Sequence, residues 1–199
     1  MKNVNLFQYL AAFVTIMLAI ALTDLLMSLH RLILARRRVT WAVIPLAAAF
    51  YVFLAILSEF FSIWIAAAVA TVSFFYLLLL VTVSGLAALA AFGALPDEVP
   101  QSGLDLWTFY VENRAYLYIV LALAFIGDLI RTLLHYRDAH GRFPLAEPGF
   151  WTQIAIPTLV VVAVYATLAW SRRRTVHVAG LAALYMIVNA TFFGWHIGN

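Results

Sequence analysis

Long stretches without a single charge decide what this chain can fold into. Asn3 to Thr23 carries none, Val39 to Ser58 carries none, and Phe60 to Pro96 carries none. A hydrocarbon core of ~30 Å is crossed by about 20 mostly apolar residues of α-helix, so each run is long enough to span it. Composition agrees. Of 199 residues, 66% are apolar and 11% charged, with a mean hydropathy of +1.00. Soluble domains sit nearer about 45–50% and 25%. These values exclude a soluble globular domain and a disordered chain. The absence of cysteine excludes a disulfide scaffold, a thiolate metal site and a cysteine nucleophile. The chain therefore reads as an all-α polytopic membrane protein, one transmembrane domain over residues 1–199.

The charges between the runs set the expected span boundaries. The run from Phe60 to Pro96 has 37 residues, ~55 Å as one helix. It reads as one long or bent helix plus surface, with Glu59 as the interruption before it. Six spans follow, at roughly 6–34, 40–58, 62–93, 107–136, 151–170 and 176–197. All six tryptophans (Trp41, Trp64, Trp107, Trp151, Trp170 and Trp195) fall near span ends, at the headgroup level this side chain prefers. The first span is a retained one, because Lys2 is the sole basic residue before it and no small-residue cleavage site follows.

Arg36, Arg37 and Arg38 lie between spans 1 and 2; Arg172, Arg173 and Arg174 lie between spans 5 and 6. With six spans these loops share a side, and the positive-inside rule makes loops 34–40 and 171–175 cytoplasmic in an inner (plasma) membrane, with both termini outside. Arg137 and Arg142 in the outer 4–5 loop run against the rule. The arginine runs read as topology signals, so no nucleic-acid partner is expected. The expected partners are the lipid bilayer and a second copy of the chain or a membrane partner subunit.

The two halves share an order of motifs. Asp24-Leu25-Leu26-Met27-Ser28-Leu29 in span 1 matches Asp128-Leu129-Ile130-Arg131-Thr132-Leu133 in span 4. Ile44-Pro45 opens span 2 as Ile156-Pro157 opens span 5. Tyr76 and Gly85 in span 3 correspond to Tyr185 and Gly194 in span 6. This order predicts a 3+3 duplication: repeat one at about 6–93, an acidic loop at 94–106 and repeat two at about 107–197. Three spans is odd, so the second unit is inverted, a construction that many transporters use.

Ionisable groups at membrane depth cost ~2.5–3.5 kcal/mol on insertion scales and mark function by default. Asp24 and Asp128 are the leading pair. Arg114 and Asp128 are separated by 13 uncharged residues, ~20 Å of helix, so at least one end brings charge into the membrane. At about 100° per residue, Asp128, Arg131, Thr132 and His135 share a face, and Asp24, Ser28 and Arg31 repeat the arrangement. Each aspartate thus has a cation one or two turns away. Two readings follow: a relay for protons or a small ion, or ion pairs that offset burial and fix helix rotation. Tyr185, Asn189 and His196 form a polar stripe on span 6, suited to interhelical hydrogen bonds or to a pore wall. Span 3 is rich in alanine and glycine, which lets helices approach closely.

The residue types present restrict other chemistries. Lys2 is the only lysine, so a retinal Schiff base within the membrane is excluded. No His-Glu-x-x-His stretch exists. Val83-Ser84-Gly85 and His177-Val178-Ala179-Gly180 resemble fragments of the rhomboid protease motifs over a handful of residues. However, Thr82 stands where that motif has its first glycine, and two spans rather than one separate serine from histidine. His30, His177, His135 and His196 could ligate haem, but ~28 Å of helix separates the two on span 6. No metal and no cofactor is therefore expected. The first function expected is a small transporter or channel for protons or a small ion, with Asp24 and Asp128 as relay groups tuned by Arg31 and Arg131. The second is a non-catalytic scaffold or accessory subunit, and the third a haem-binding or lipid-active enzyme.

Overall fold

The structure, a computed structural model, describes residues 6–66 and 73–194. Six long helices carry it: α1 (Leu6–Leu34), α2 (Val43–Ala66), α3 (Phe74–Ala94), α4 (Leu106–His140), α5 (Ile156–Trp170) and α6 (Arg174–Gly194). Among the described residues, five helices are long and apolar enough to cross a membrane: α1 to α4, and α5 with the turn before it. The fold is an all-α bundle of membrane type. Its outward side chains are large and apolar, including Phe13, Ile16, Ile20, Phe74 and Leu159, as lipid contact requires.

Local chemistry explains the helix ends. Pro45 sits in the first turn of α2, where its missing N–H leaves no carbonyl unpaired. Ser73 caps α3 by accepting from the Tyr76 N–H at 3.3 Å, and Pro96 follows its end. Asp105 caps α4. Its carboxylate accepts from the Trp107 N–H at 3.2 Å and from the Thr108 hydroxyl at 2.6 Å. Gly141, at φ +70, ends α4 in the left-handed conformation, with its N–H donated to the Arg137 carbonyl. Before α5 the chain makes a π-helical turn over Trp151–Ala155. Pro157 cannot donate back into that turn, and the ladder widens there.

The second and third spans differ from the sequence expectation. α2 does not stop at Ser58 but runs through Glu59 to Ala66, so residues 62–66 belong to α2 and α3 begins at Phe74. Glu59 looked like an interruption because its charge was counted alone. In the bundle a buried arginine faces it, and the helix continues. Trp195 and His196 lie outside the described residues.

Two short strands tie the loops at one end together. Val39–Thr40 (β1) pairs in parallel with Leu104–Asp105 (β2). The α1–α2 and α3–α4 loops therefore meet, and Gly103 (φ +94) lies close enough to the Arg38 carbonyl that a Cβ would come within 3.1 Å of it. The α5–α6 turn reaches the same end, where the Arg174 guanidinium covers the Trp107 ring at 4.8 Å. Two arginine runs and the acidic 3–4 loop are thus gathered on one side.

The core is built on α3 and α4, which pack closely along their length. Gly127 lets α4 approach α3, since a Cβ there would lie 2.7 Å from Val83 Cγ2; Gly93 does the same against the Tyr116 ring. α1 packs chiefly on α3, while α4 packs extensively on α5 and meets α6 mainly through Trp107 and Tyr110 against His177. In both halves the first helix meets the second and the second meets the third, but the close packing of first on third is seen in the first half alone among the described residues.

Candidate functional site

The strongest concentration of charge lies between α2, α3 and α4. α2 presents Glu59 and, one turn on, Ser62; α3 presents Ser84; α4 presents Asp128 and Arg131. The Arg131 guanidinium donates to both oxygens of Glu59, at 2.7 and 3.0 Å. One nitrogen also donates to Asp128 at 2.5 Å and to the Ser62 hydroxyl at 3.0 Å. The Ser84 hydroxyl donates to Glu59 at 3.1 Å. Side-chain exposure is 6% for Arg131 and 9% for Glu59, but 43% for Asp128. A fork-to-fork arginine–carboxylate contact is the geometry that makes such burial tolerable, since it pairs the charge and satisfies the donors together. Asp128 joins from the rim. Two carboxylates share one guanidinium, so the cluster has a formal charge of −1 and becomes neutral on taking up one proton.

A cavity of about 210 Å³ adjoins this cluster. Glu59, Ser58 and Asp128 line part of it, and Tyr51, Phe125 and Tyr165 line another. Tyr51 on α2 and Tyr165 on α5 share a hydrogen bond between hydroxyls, 2.5 Å long. The Tyr165 ring stacks on Tyr118 of α4 at 6.2 Å between centroids. Tyr118 in turn bonds Tyr110 through their hydroxyls at 2.7 Å, and Tyr110 bonds Nδ1 of His177 at 2.7 Å.

The direction of this last chain follows from its terminus. Nε2 of His177 lies 3.0 Å from the Ser171 carbonyl, which can only accept, so Nε2 carries the hydrogen. In a neutral imidazole Nδ1 then accepts. It accepts the hydrogen bond donated by the Tyr110 hydroxyl, and the Tyr110 oxygen accepts from Tyr118. The donors therefore run Tyr118 to Tyr110 to His177 to Ser171. His177 is fully buried with both ring nitrogens engaged, and no group of three His, Asp or Glu side chains among the described residues is placed to hold a metal. Ser84 and His177 belong to these two separate networks and form no catalytic pair.

Comparison with known protein families, curated proteins and solved structures gives no match to this chain.

The residues singled out from sequence are distributed unevenly. Asp128 and Arg131 do pair, three residues apart on α4. Asp24 is half-buried and has no hydrogen bond or ion pair among the described residues. Its expected partner Arg31 turns instead to the 3–4 loop, donating to the Asp97 carbonyl at 3.0 Å, with the carboxylate 3.9 Å away. Ser28 donates to that carboxylate at 3.1 Å. A loop carboxylate beyond the helix end meets a long arginine more easily than one two turns back on its own helix. Thr132 is exposed, and His135 lies against the Tyr76 ring at 6.0 Å, so neither enters the cluster. Tyr185 donates across to the Ala47 carbonyl of α2 at 2.6 Å, an interhelical bond of the expected kind. Asn189 donates to the Tyr185 carbonyl of its own helix. Glu59, Ser84, Tyr51, Tyr165, Tyr118, Tyr110 and His177 were not singled out as relay residues. One signal did point to Glu59: it is a lone acid between two uncharged runs.

Proposed function

We propose that this protein is a small proton pathway through a membrane, with the Glu59–Arg131–Asp128 cluster as the proton-accepting station. The observation that carries the reading is the cavity between that cluster and the Tyr51–Tyr165 pair. It offers room for a few water molecules, each with a share of about 30 Å³, between carboxylates and hydroxyls. The oriented Tyr118–Tyr110–His177 chain continues the polar route toward the arginine-bearing end. Arg131 keeps the station from holding a fixed double negative charge, so one proton is bound rather than a metal cation.

In this proposal α6 supplies a sixth span, the arginine-bearing end faces the cytoplasm of an inner membrane, and both termini lie outside. A duplicated three-span unit is not required. The order of motifs is its support, and the differing helix neighbours run against it. A scaffold role is favoured by one feature, the complete bidentate pairing of Glu59 with Arg131, which is also how a purely structural charge pair is built.

Purified protein in liposomes carrying an internal pH dye tests the reading. Under an imposed potential, wild type should acidify or alkalinise the lumen, and Asp128→Asn and Glu59→Gln should each lose that flux while remaining folded. Folded wild type without proton flux above empty liposomes overturns the proposal and leaves the scaffold.

A further inference from the structure

A second polar cavity, of about 450 Å³, opens at the arginine-bearing end, apart from the cluster in the bundle. Trp107, Thr108, Val111, Glu112 and Arg114 of α4 line it, together with Arg172 from the α5–α6 turn. Three features set it apart. Nε of Arg114 is buried without a hydrogen-bond partner, while its other end donates to the Val111 carbonyl. Neither the Arg172 nor the Glu112 side chain, both exposed, has a hydrogen bond or ion pair among the described residues, although they share one cavity with opposite charges. Trp107, wedged between the Arg174 guanidinium and the His177 ring, stands at the first turn of α4, directly after its Asp105 cap. Exposed Trp41 and Trp170 stand at the same end. Tryptophans in this position mark the headgroup level, so the cavity opens where lipid phosphates lie.

We propose that this cavity binds the headgroup of an amine-bearing glycerophospholipid. Arg114 and Arg172 hold the phosphodiester, and Glu112 receives the ammonium. Arginine suits the first task because its planar fork matches two phosphate oxygens. Basic pockets between membrane helices on the cytoplasmic side bind lipid phosphates through the same arginine contacts. The carboxylate decides the headgroup. An anionic lipid such as phosphatidylglycerol offers Glu112 hydroxyl donors at most, whereas a primary ammonium brings the opposite charge together with hydrogen bonds that a trimethylated one cannot donate. The site does not depend on proton conduction, and its test does not read it.

The experiment uses the full chain, delipidated in detergent, with melting temperature followed as lipid is added. The probes are phosphatidylethanolamine, phosphatidylglycerol and phosphatidylcholine of one acyl composition, and inorganic phosphate. Phosphatidylethanolamine should raise the melting temperature at the lowest concentration. Arg172→Gln should weaken the response to every phospholipid about tenfold. Glu112→Gln should weaken the phosphatidylethanolamine response and leave that to phosphatidylglycerol unchanged or stronger. A preference for phosphatidylglycerol over phosphatidylethanolamine overturns the amine assignment. Equal stabilisation by inorganic phosphate overturns the lipid assignment. Responses indifferent to Arg172→Gln overturn the site.

Discussion

Removing the charge at position 131 should cost more than removing either of its carboxylate partners, and the structure supplies the ranking. Arg131→Met leaves Glu59, 9% exposed, and Asp128 facing each other without a cation. Breaking a buried pair by deleting one partner costs ~3–5 kcal/mol, about two to three and a half decades in the folding equilibrium at about 1.4 kcal/mol each. Glu59→Gln removes one carboxylate but leaves Arg131 paired with Asp128, so its loss should fall below that. Asp128→Asn removes only the partner on the rim, whose side chain is 43% exposed, and leaves the two-pronged Glu59–Arg131 contact intact, so its loss should be the smallest. The order of destabilisation is therefore Arg131→Met, then Glu59→Gln, then Asp128→Asn. Melting in detergent, followed by far-ultraviolet circular dichroism, measures it. The double variant Glu59→Met/Arg131→Met should recover most of the loss, because no buried charge is left alone. An Arg131→Met protein as stable as Asp128→Asn would refute the reasoning, as would a double variant worse than the single.

Tyr165→Phe should cost ~1–3 kcal/mol by stranding the buried Tyr51 hydroxyl, while Tyr51→Phe/Tyr165→Phe should be nearly as stable as wild type yet lose proton flux in liposomes. Gly127→Val should cost ~1–3 kcal/mol by overpacking against Val83, seen as a lower melting temperature. Asp105→Ala should cost ~1 kcal/mol as a lost helix cap. The Thr108 hydroxyl, followed by the Trp107 N–H, holds the Asp105 carboxyl below the usual carboxylate range. Its contribution is therefore complete above the unfolded pKa of ~3.9 and lost as pH falls through the lower folded value. The wild-type advantage over Asp105→Ala in melting temperature should shrink only in that acid window. Reporter fusions at both termini should report the outside of the membrane, and a cytoplasmic signal from either would break the six-span orientation.

Sequence by itself determined the class of fold and several of the helix ends, because those depend on properties that add along the chain. Uncharged runs of about 20 residues or more have no soluble solution, and the ends of the first span, at 6 and 34, fall beside the charges that flank it. The Asp128–Arg131 pair was legible for the same reason, since three residues on one helix fix its geometry. Tertiary structure alone decided what Glu59 is. Hydropathy counts a carboxylate as a break, whereas its real cost depends on whether a guanidinium 72 residues away is turned toward it. It also decided that Arg31 reaches Asp97 rather than Asp24, because a folded-back loop competes with the helix's own face. The tyrosines obey the same rule. Tyr51 and Tyr165 are 114 residues apart, and Tyr110 meets His177 across 67. Their hydroxyls meet only when the rotation of four helices is set, and that rotation is fixed by packing contacts such as Gly127 against Val83, which no single segment contains.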